Sequence, residues 1–192
     1  YKNTKTGISI GTDFEYYDDL ILGLGFNSYY ENIKTVSTAS SQQQKLKGNY
    51  FDNFISLSLD YDKRNQKFQT SQGFRNYFST DLPLVSETNT LANTFISTNY
   101  YEYFNNNILK SSFYFKNANS ITGENVKLSE RLSLPSNRLR GFERGKVGPK
   151  DGNDFIGGNY IASLNFSSDV PKILENSQST DLKIFLDIAN VW

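Results

Sequence analysis

The sequence predicts an all-β chain, folded as an antiparallel up-and-down transmembrane β-barrel. Three observations predict it. Apolar and polar residues alternate with period two in segment after segment, while helical spacing is hard to find. Aromatic residues make up 15% of the chain, with 13 Tyr and 15 Phe, and Pro is scarce at 4. The connections alternate between short and mostly longer, as they do at the two rims of an outer-membrane barrel. A soluble β-sandwich would share the alternation and the aromatics, but it gives no reason for long loops to collect at one end. The pattern therefore favours the barrel over the sandwich. A mean hydropathy of −0.55 agrees with it, because strands that alternate average to polar.

The first strand is expected over Lys5–Phe14, turning at 15–19 into Leu20–Tyr30. There Leu20, Leu22, Leu24 and Phe26 share one face and Gly23, Gly25 and Asn27 the other. The polar stretch from Glu31 to Asn49 reads as a long exposed loop. Phe51–Asp62 sets Phe51, Ile55, Leu57, Leu59 and Tyr61 against Asp52, Ser56, Ser58, Asp60 and Asp62. A turn at 63–71 leads through Gly73 into Phe74–Leu82, and a short loop at 83–87 precedes Thr90–Phe104. Asn105-Asn106-Asn107 makes a tight turn, since Asn tolerates left-handed backbone geometry. Ile108–Asn117 returns. After a long loop at 118–156, Asn159–Val170 places Tyr160, Ala162, Leu164, Phe166 and Val170 opposite Ser163, Asn165, Ser167 and Asp169. A turn at 171–180 precedes Asp181–Ala189, with Leu182, Ile184, Leu186 and Ile188 outward and Lys183, Phe185 and Asp187 inward. That makes eight strands. Tyr29, Tyr30, Tyr100, Tyr101 and Tyr103 near strand ends read as girdle residues at a bilayer interface, or as the core of a sandwich.

Composition excludes several functions. Lys plus Arg and Asp plus Glu are both 20, so no basic field exists to hold nucleic acid. With no Cys and no His, the chain lacks thiolate and imidazole metal ligands and the commonest general base. A Ser–His nucleophile pair, as in a barrel-housed lipase, is impossible. We therefore expect no catalytic residue, no metal and no cofactor. No apolar run approaches the roughly 20 residues of a membrane-spanning helix. No signal peptide opens the chain, and its two ends read as those of a fragment.

The segment from Arg138 to Tyr160 is rich in Gly and charge. It carries Arg140-Gly141-Phe142, then Gly145, Gly148, Pro149, Asp151, Gly152, Gly157 and Gly158. A connection this long, without secondary structure of its own, is usually functional or disordered, and these residues suit a compactly folded loop. A solvated surface arginine and a flexible Gly157-Gly158 hinge are the plainer readings of the same residues.

Leu139-Arg140-Gly141-Phe142, then Gly148-Pro149-Lys150-Asp151, then Gly157-Gly158-Asn159-Tyr160 resemble the long loop of the BamA family of outer-membrane β-barrel assembly proteins, in the bacterial surface antigen superfamily. Ala162-Ser163-Leu164 and Phe185-Leu186-Asp187-Ile188-Ala189-Asn190-Val191-Trp192 extend the resemblance. Leu59-Asp60-Tyr61-Asp62-Lys63-Arg64-Asn65 with Gly73-Phe74 resembles a periplasmic turn of the same barrel. The Arg-Gly-Phe core is shared with TamA-like and two-partner-secretion transporters, so on its own it does not separate assembly from secretion.

The resemblance implies a barrel of about sixteen strands, preceded by periplasmic POTRA domains. Residues 1–192 would form its central to C-terminal part, without the terminal gate strands. It implies a non-enzymatic factor of the bacterial outer membrane that folds and inserts β-barrel proteins. Its partners would be outer-membrane lipids, unfolded client proteins and accessory assembly lipoproteins, with no nucleic acid. It implies further that the loop folds into the lumen, where Arg140 pairs with Asp187. Asn165, standing where the family has a glutamate, would offer only its amide oxygen. Asp169 and Glu143 are further carboxylates within reach of such a latch. Phe142 would pack on the wall, and Gly148, Pro149, Asp151, Gly157 and Gly158 would shape the loop.

Overall fold

The computed structural model describes residues 1–103, 107–170 and 182–192. Eight strands form one sheet in the order β1-β2-β3-β4-β5-β6-β9-β10, every neighbouring pair antiparallel. The strands are β1 (Lys2–Tyr17), β2 (Leu20–Lys34), β3 (Gly48–Asp62), β4 (Gly73–Ser86), β5 (Thr90–Tyr103), β6 (Asn107–Ser120), β9 (Tyr160–Asp169) and β10 (Lys183–Val191). A small hairpin, β7 (Lys150–Asp151) with β8 (Asp154–Phe155), stands apart within the long loop. Among the described residues the large sheet is open, with β1 and β10 at its edges, as in part of a barrel. No described helix is long and apolar enough to cross a membrane, which says nothing about a chain that crosses with strands.

The alternation in the sequence becomes two faces with different chemistry. Register brings Phe113, Leu164 and Ile188 side by side on β6, β9 and β10, and Ile10, Phe26, Ile55 and Leu82 side by side across β1 to β4. Leu164 and Ile188 are exposed, as are Ile10, Phe26 and Leu82. In water such a surface would be a liability; against lipid it is the outer wall. The opposite face carries Thr98, Ser112, Asn165 and Asp187 in one cross-strand row. The core lies on this second face, where Tyr114, Ala118 and Ile161 of the wall meet Val126, Leu132 and Leu134 of the long loop, together with Val191.

Several boundaries differ from those the sequence suggests. Strands β1, β2 and β6 run further at both or one of their ends, because strands continue through polar residues when only one face is packed. The stretch 31–49 is therefore no long exposed loop. β2 continues to Lys34, Glu31 is buried at 1% exposure, and a short helix α1 (Ser41–Lys45) precedes β3. Pro83 lies inside β4 at a register shift opposite Asp52–Phe54, and the connection to β5 is only 87–89. The turn between β1 and β2 tightens to Asp18-Asp19, with Asp19 at φ 68°. The long loop runs 121–159. Of the expected Asn105–Asn107 turn, Asn105 and Asn106 lie outside the described residues, as do Phe104 at the end of its expected strand, the whole of the expected 171–180 turn and Asp181.

Candidate functional site

The long loop settles on the polar face of the sheet. It leaves β6, packs Val126, Leu132 and Leu134 into the core and makes a 3-10 turn at Ser136–Arg138. That turn delivers Arg138 and Arg140 to the row on β6, β9 and β10. Arg140 grips Asp187 with two parallel bonds, Nε to Oδ2 at 2.7 Å and Nη2 to Oδ1 at 2.7 Å. The backbone N–H of Arg140 adds a third, 3.0 Å to Oδ2. This fork-on-carboxylate geometry is the strongest form of the ion pair. The Phe185 ring centre lies 3.7 Å from the guanidinium carbon and covers one face of it. The carboxylate raises the Arg140 pKa still further, so the charge is permanent.

Asn165 differs from the expectation. Its amide nitrogen does the work, donating 2.8 Å to Asp187 Oδ1 and 2.8 Å to the Arg138 carbonyl, while its oxygen accepts from Ser163 Oγ at 3.2 Å. An amide at this place can donate to the carboxylate beside it; a second carboxylate could not unless protonated. Arg138, which the sequence reading passed over, spans the next step of the row. It donates 2.8 Å to Ser112 Oγ and lies 4.8 Å over the Tyr114 ring, with burial holding its pKa below the usual arginine value.

Other expected contacts fall elsewhere. Phe142 is 61% exposed and does not pack on the wall, because the backbone turns away at Gly141, φ 85°. Glu143 is exposed beyond the turn, and Asp169 pairs with Lys183 at 3.0 Å, away from Arg140. Tyr29 is no girdle residue, since its ring stacks on Phe54 on the lumen side. Gly148 and Gly158 lie against the end of β10. A Cβ on Gly148 would meet Val191 Cβ at 2.8 Å, and one on Gly158 would collide with the Trp192 carbonyl. Gly158 also exchanges backbone bonds of 2.8 and 2.9 Å with Leu132, and Gly157 sits at φ 71° beside it. The Pro149 carbonyl accepts from Ile156 N–H and closes the small hairpin. Asp151 and Asp154 at its tip accept from the N–H groups of Gln42 and Ser40 at 2.8 and 2.9 Å, tying the hairpin to α1.

The profile of the Omp85 superfamily domain matches residues 1–192, the whole chain. The chain belongs to the Omp85 superfamily. No curated protein matches it. Among solved structures, this Omp85 chain is similar to BamA from Haemophilus ducreyi lacking POTRA domains 1–3, with a TM-score of 0.88 at 18% identity. The superposition covers 100% of the Omp85 chain and 42% of the BamA chain, so the sheet has the fold of part of that barrel. The outward apolar face and the inward polar row thereby take their places as the lipid side and the lumen side.

A second cluster on the lumen side was missed. Lys127 of the loop is 1% exposed, its Nζ 3.1 Å from Glu31 and 3.1 Å from Glu130 and in close contact with Asp52. Burial alone would lower its pKa, but the Glu130 and Asp52 carboxylates more than reverse this, and the net shift is upward. Asp52 stands on the polar face of β3 in the sequence, which was legible. Nothing local marks Lys127 as its partner.

Proposed function

We propose that the chain is the central to C-terminal part of an outer-membrane assembly factor that folds and inserts β-barrel proteins into the bacterial outer membrane. The observation that carries the reading is the bidentate seat of Arg140 on Asp187, which holds an Arg-Gly-Phe loop on the lumen face of an Omp85 sheet. In this reading residues 1–192 are a partial barrel domain. POTRA domains and the terminal gate strands complete it, and accessory lipoproteins bind through the periplasmic part. The outward apolar face meets outer-membrane lipid. No covalent step is required: an unfolded client gains strand pairing at a sheet edge, where backbone N–H and C=O groups are otherwise unsatisfied. The role of Arg140 and Gly141, with Asp187 and Asn165 as wall partners, is to keep the loop in one place while the wall moves, and Phe142 is left at the exposed tip.

The test is depletion of the full-length protein in its host, with complementation by wild type or by Arg140→Ala. Assembly predicts that many unrelated barrels lose their folded, heat-modifiable form together, and that Arg140→Ala restores them poorly. Loss of one secreted partner, with the barrel population unchanged, would replace this reading with a two-partner-secretion transporter. Loss of a narrow subset of barrels would indicate a TamA-like role.

A further inference from the structure

The Arg140 seat ties the loop to one side of the sheet. The loop also touches the other side, through a cluster that no part of the reading above uses. Lys127 and Glu31 are each 1% exposed and Asp52 is 0% exposed. Glu31 lies on β2 and Asp52 on β3, and the strands β4, β5, β6 and β9 separate β3 from β10. We infer that Lys127 is a second anchor of the long loop: its ammonium, held by Glu31 and Asp52 of the wall, fastens residues 124–132 to β2 and β3 independently of the Arg140–Asp187 seat.

The hydrogen bonds around the cluster are those of a built seat. Glu31 also accepts from Asn3 Nδ2 at 2.9 Å and from Ser129 Oγ of the loop at 2.8 Å. Asp52 accepts from Ser86 Oγ and from Thr88 Oγ1, and Glu130 accepts from Thr88 and from the Tyr29 hydroxyl. The rings of Tyr29 and Tyr50 lie 5.1 and 5.4 Å from the ammonium. Among the described residues a second cation approaches: Lys5 Nζ lies 3.2 Å from the centre of the Tyr29 ring. An apolar residue at 127 would therefore strand two fully buried carboxylates with too little positive charge, the arrangement that proteins tolerate least. On either side of Lys127 the loop is locked by Val126 and Leu128, at 2% and 3% exposure. The loop is thus a tie across the polar face, pinned at β2–β3 and at β10. Breaking one pin leaves the other in place.

Hydrogen exchange on the full-length protein in lipid nanodiscs tests this, whether the protein assembles clients or secretes one. Lys127→Met lowers protection in 124–132 by roughly a hundredfold and leaves 138–142 as in wild type. Asp187→Asn lowers protection in 138–142, by about tenfold, and leaves 124–132 as in wild type. Neutralising the cage as well, Lys127→Met with Glu31→Gln and Asp52→Asn, recovers most of the protection in 124–132, which lost packing alone would not allow. This neutral variant also carries the test if Lys127→Met does not fold. Unchanged protection in Lys127→Met, opening of both segments by either variant, or no recovery in the neutral variant overturns the inference.

Discussion

Arg140→Ala and Asp187→Asn break the same ion pair, yet the geometry assigns them different costs. The Asp187 side chain is 3% exposed and that of Arg140 36%. Removing the guanidinium takes two charge-assisted bonds from a buried carboxylate and leaves it the Asn165 amide and one backbone N–H. Breaking a buried pair from this side costs about 3–5 kcal/mol, and the remaining donors put Arg140→Ala near the lower end, at about 3. Removing the carboxylate's charge leaves a guanidinium that already meets water along a third of its surface. The asparagine oxygen still accepts one bond, so Asp187→Asn should cost about 1–2 kcal/mol. The gap of about 1.4 kcal/mol is a tenfold difference in the opening of the loop. Two measurements on the full-length protein read it: exchange of the 139–142 amides, and the temperature at which the compact barrel unfolds on a gel. The expected order of stability is wild type, Asp187→Asn, then Arg140→Ala. Equal melting of wild type and Asp187→Asn would remove the ion pair as an anchor. An Asp187→Asn variant worse than Arg140→Ala would refute the burial argument.

Glycine substitutions should separate strain from collision. Gly141→Ala faces open space at φ 85° and should cost only the backbone term, about 1–2 kcal/mol, whereas Gly148→Ala at φ 113° adds contact with Val191 and should cost distinctly more. Thermal unfolding of the pair checks the order. Phe142→Ala, at an exposed side chain, should change stability by less than about 0.5 kcal/mol, so any loss of client assembly in that variant would report a contact made by the tip rather than a weaker fold. Alkaline pH should leave the loop seated. Both Arg140 and Lys127 have raised pKa values, so each stabilises fully below its ordinary value and loses that contribution only as pH rises through the raised one. Exchange in 124–132 and 138–142, corrected for its intrinsic rate, should be constant from about pH 7 to 10; a rise within that range would contradict the paired-cation assignment.

Much of the wall was legible in the sequence because a strand's two faces are written in alternate residues. Leu164 and Asn165, or Leu186 and Asp187, declare their sides without any knowledge of the neighbouring strand. The same rule put Asp52 inward. It failed at strand ends, where polar residues such as Glu31 continue the ladder, and at Pro83, which a register shift accommodates. The Arg140–Asp187 pairing was legible only through resemblance of motifs, since the two lie far apart in the chain.

The sequence by itself determined the strands, their two faces and the position of the long loop, because period-two burial is a local property of the backbone. Only the tertiary structure decided which residues of that loop carry it. It turned Phe142 outward, made Asn165 a donor to Asp187, and brought Lys127 to Glu31 and Asp52 across up to half of the chain. Such pairings depend on sheet curvature and on the path of a loop through space. Charges buried by that path must find partners wherever it leads them, and no local pattern records the meeting.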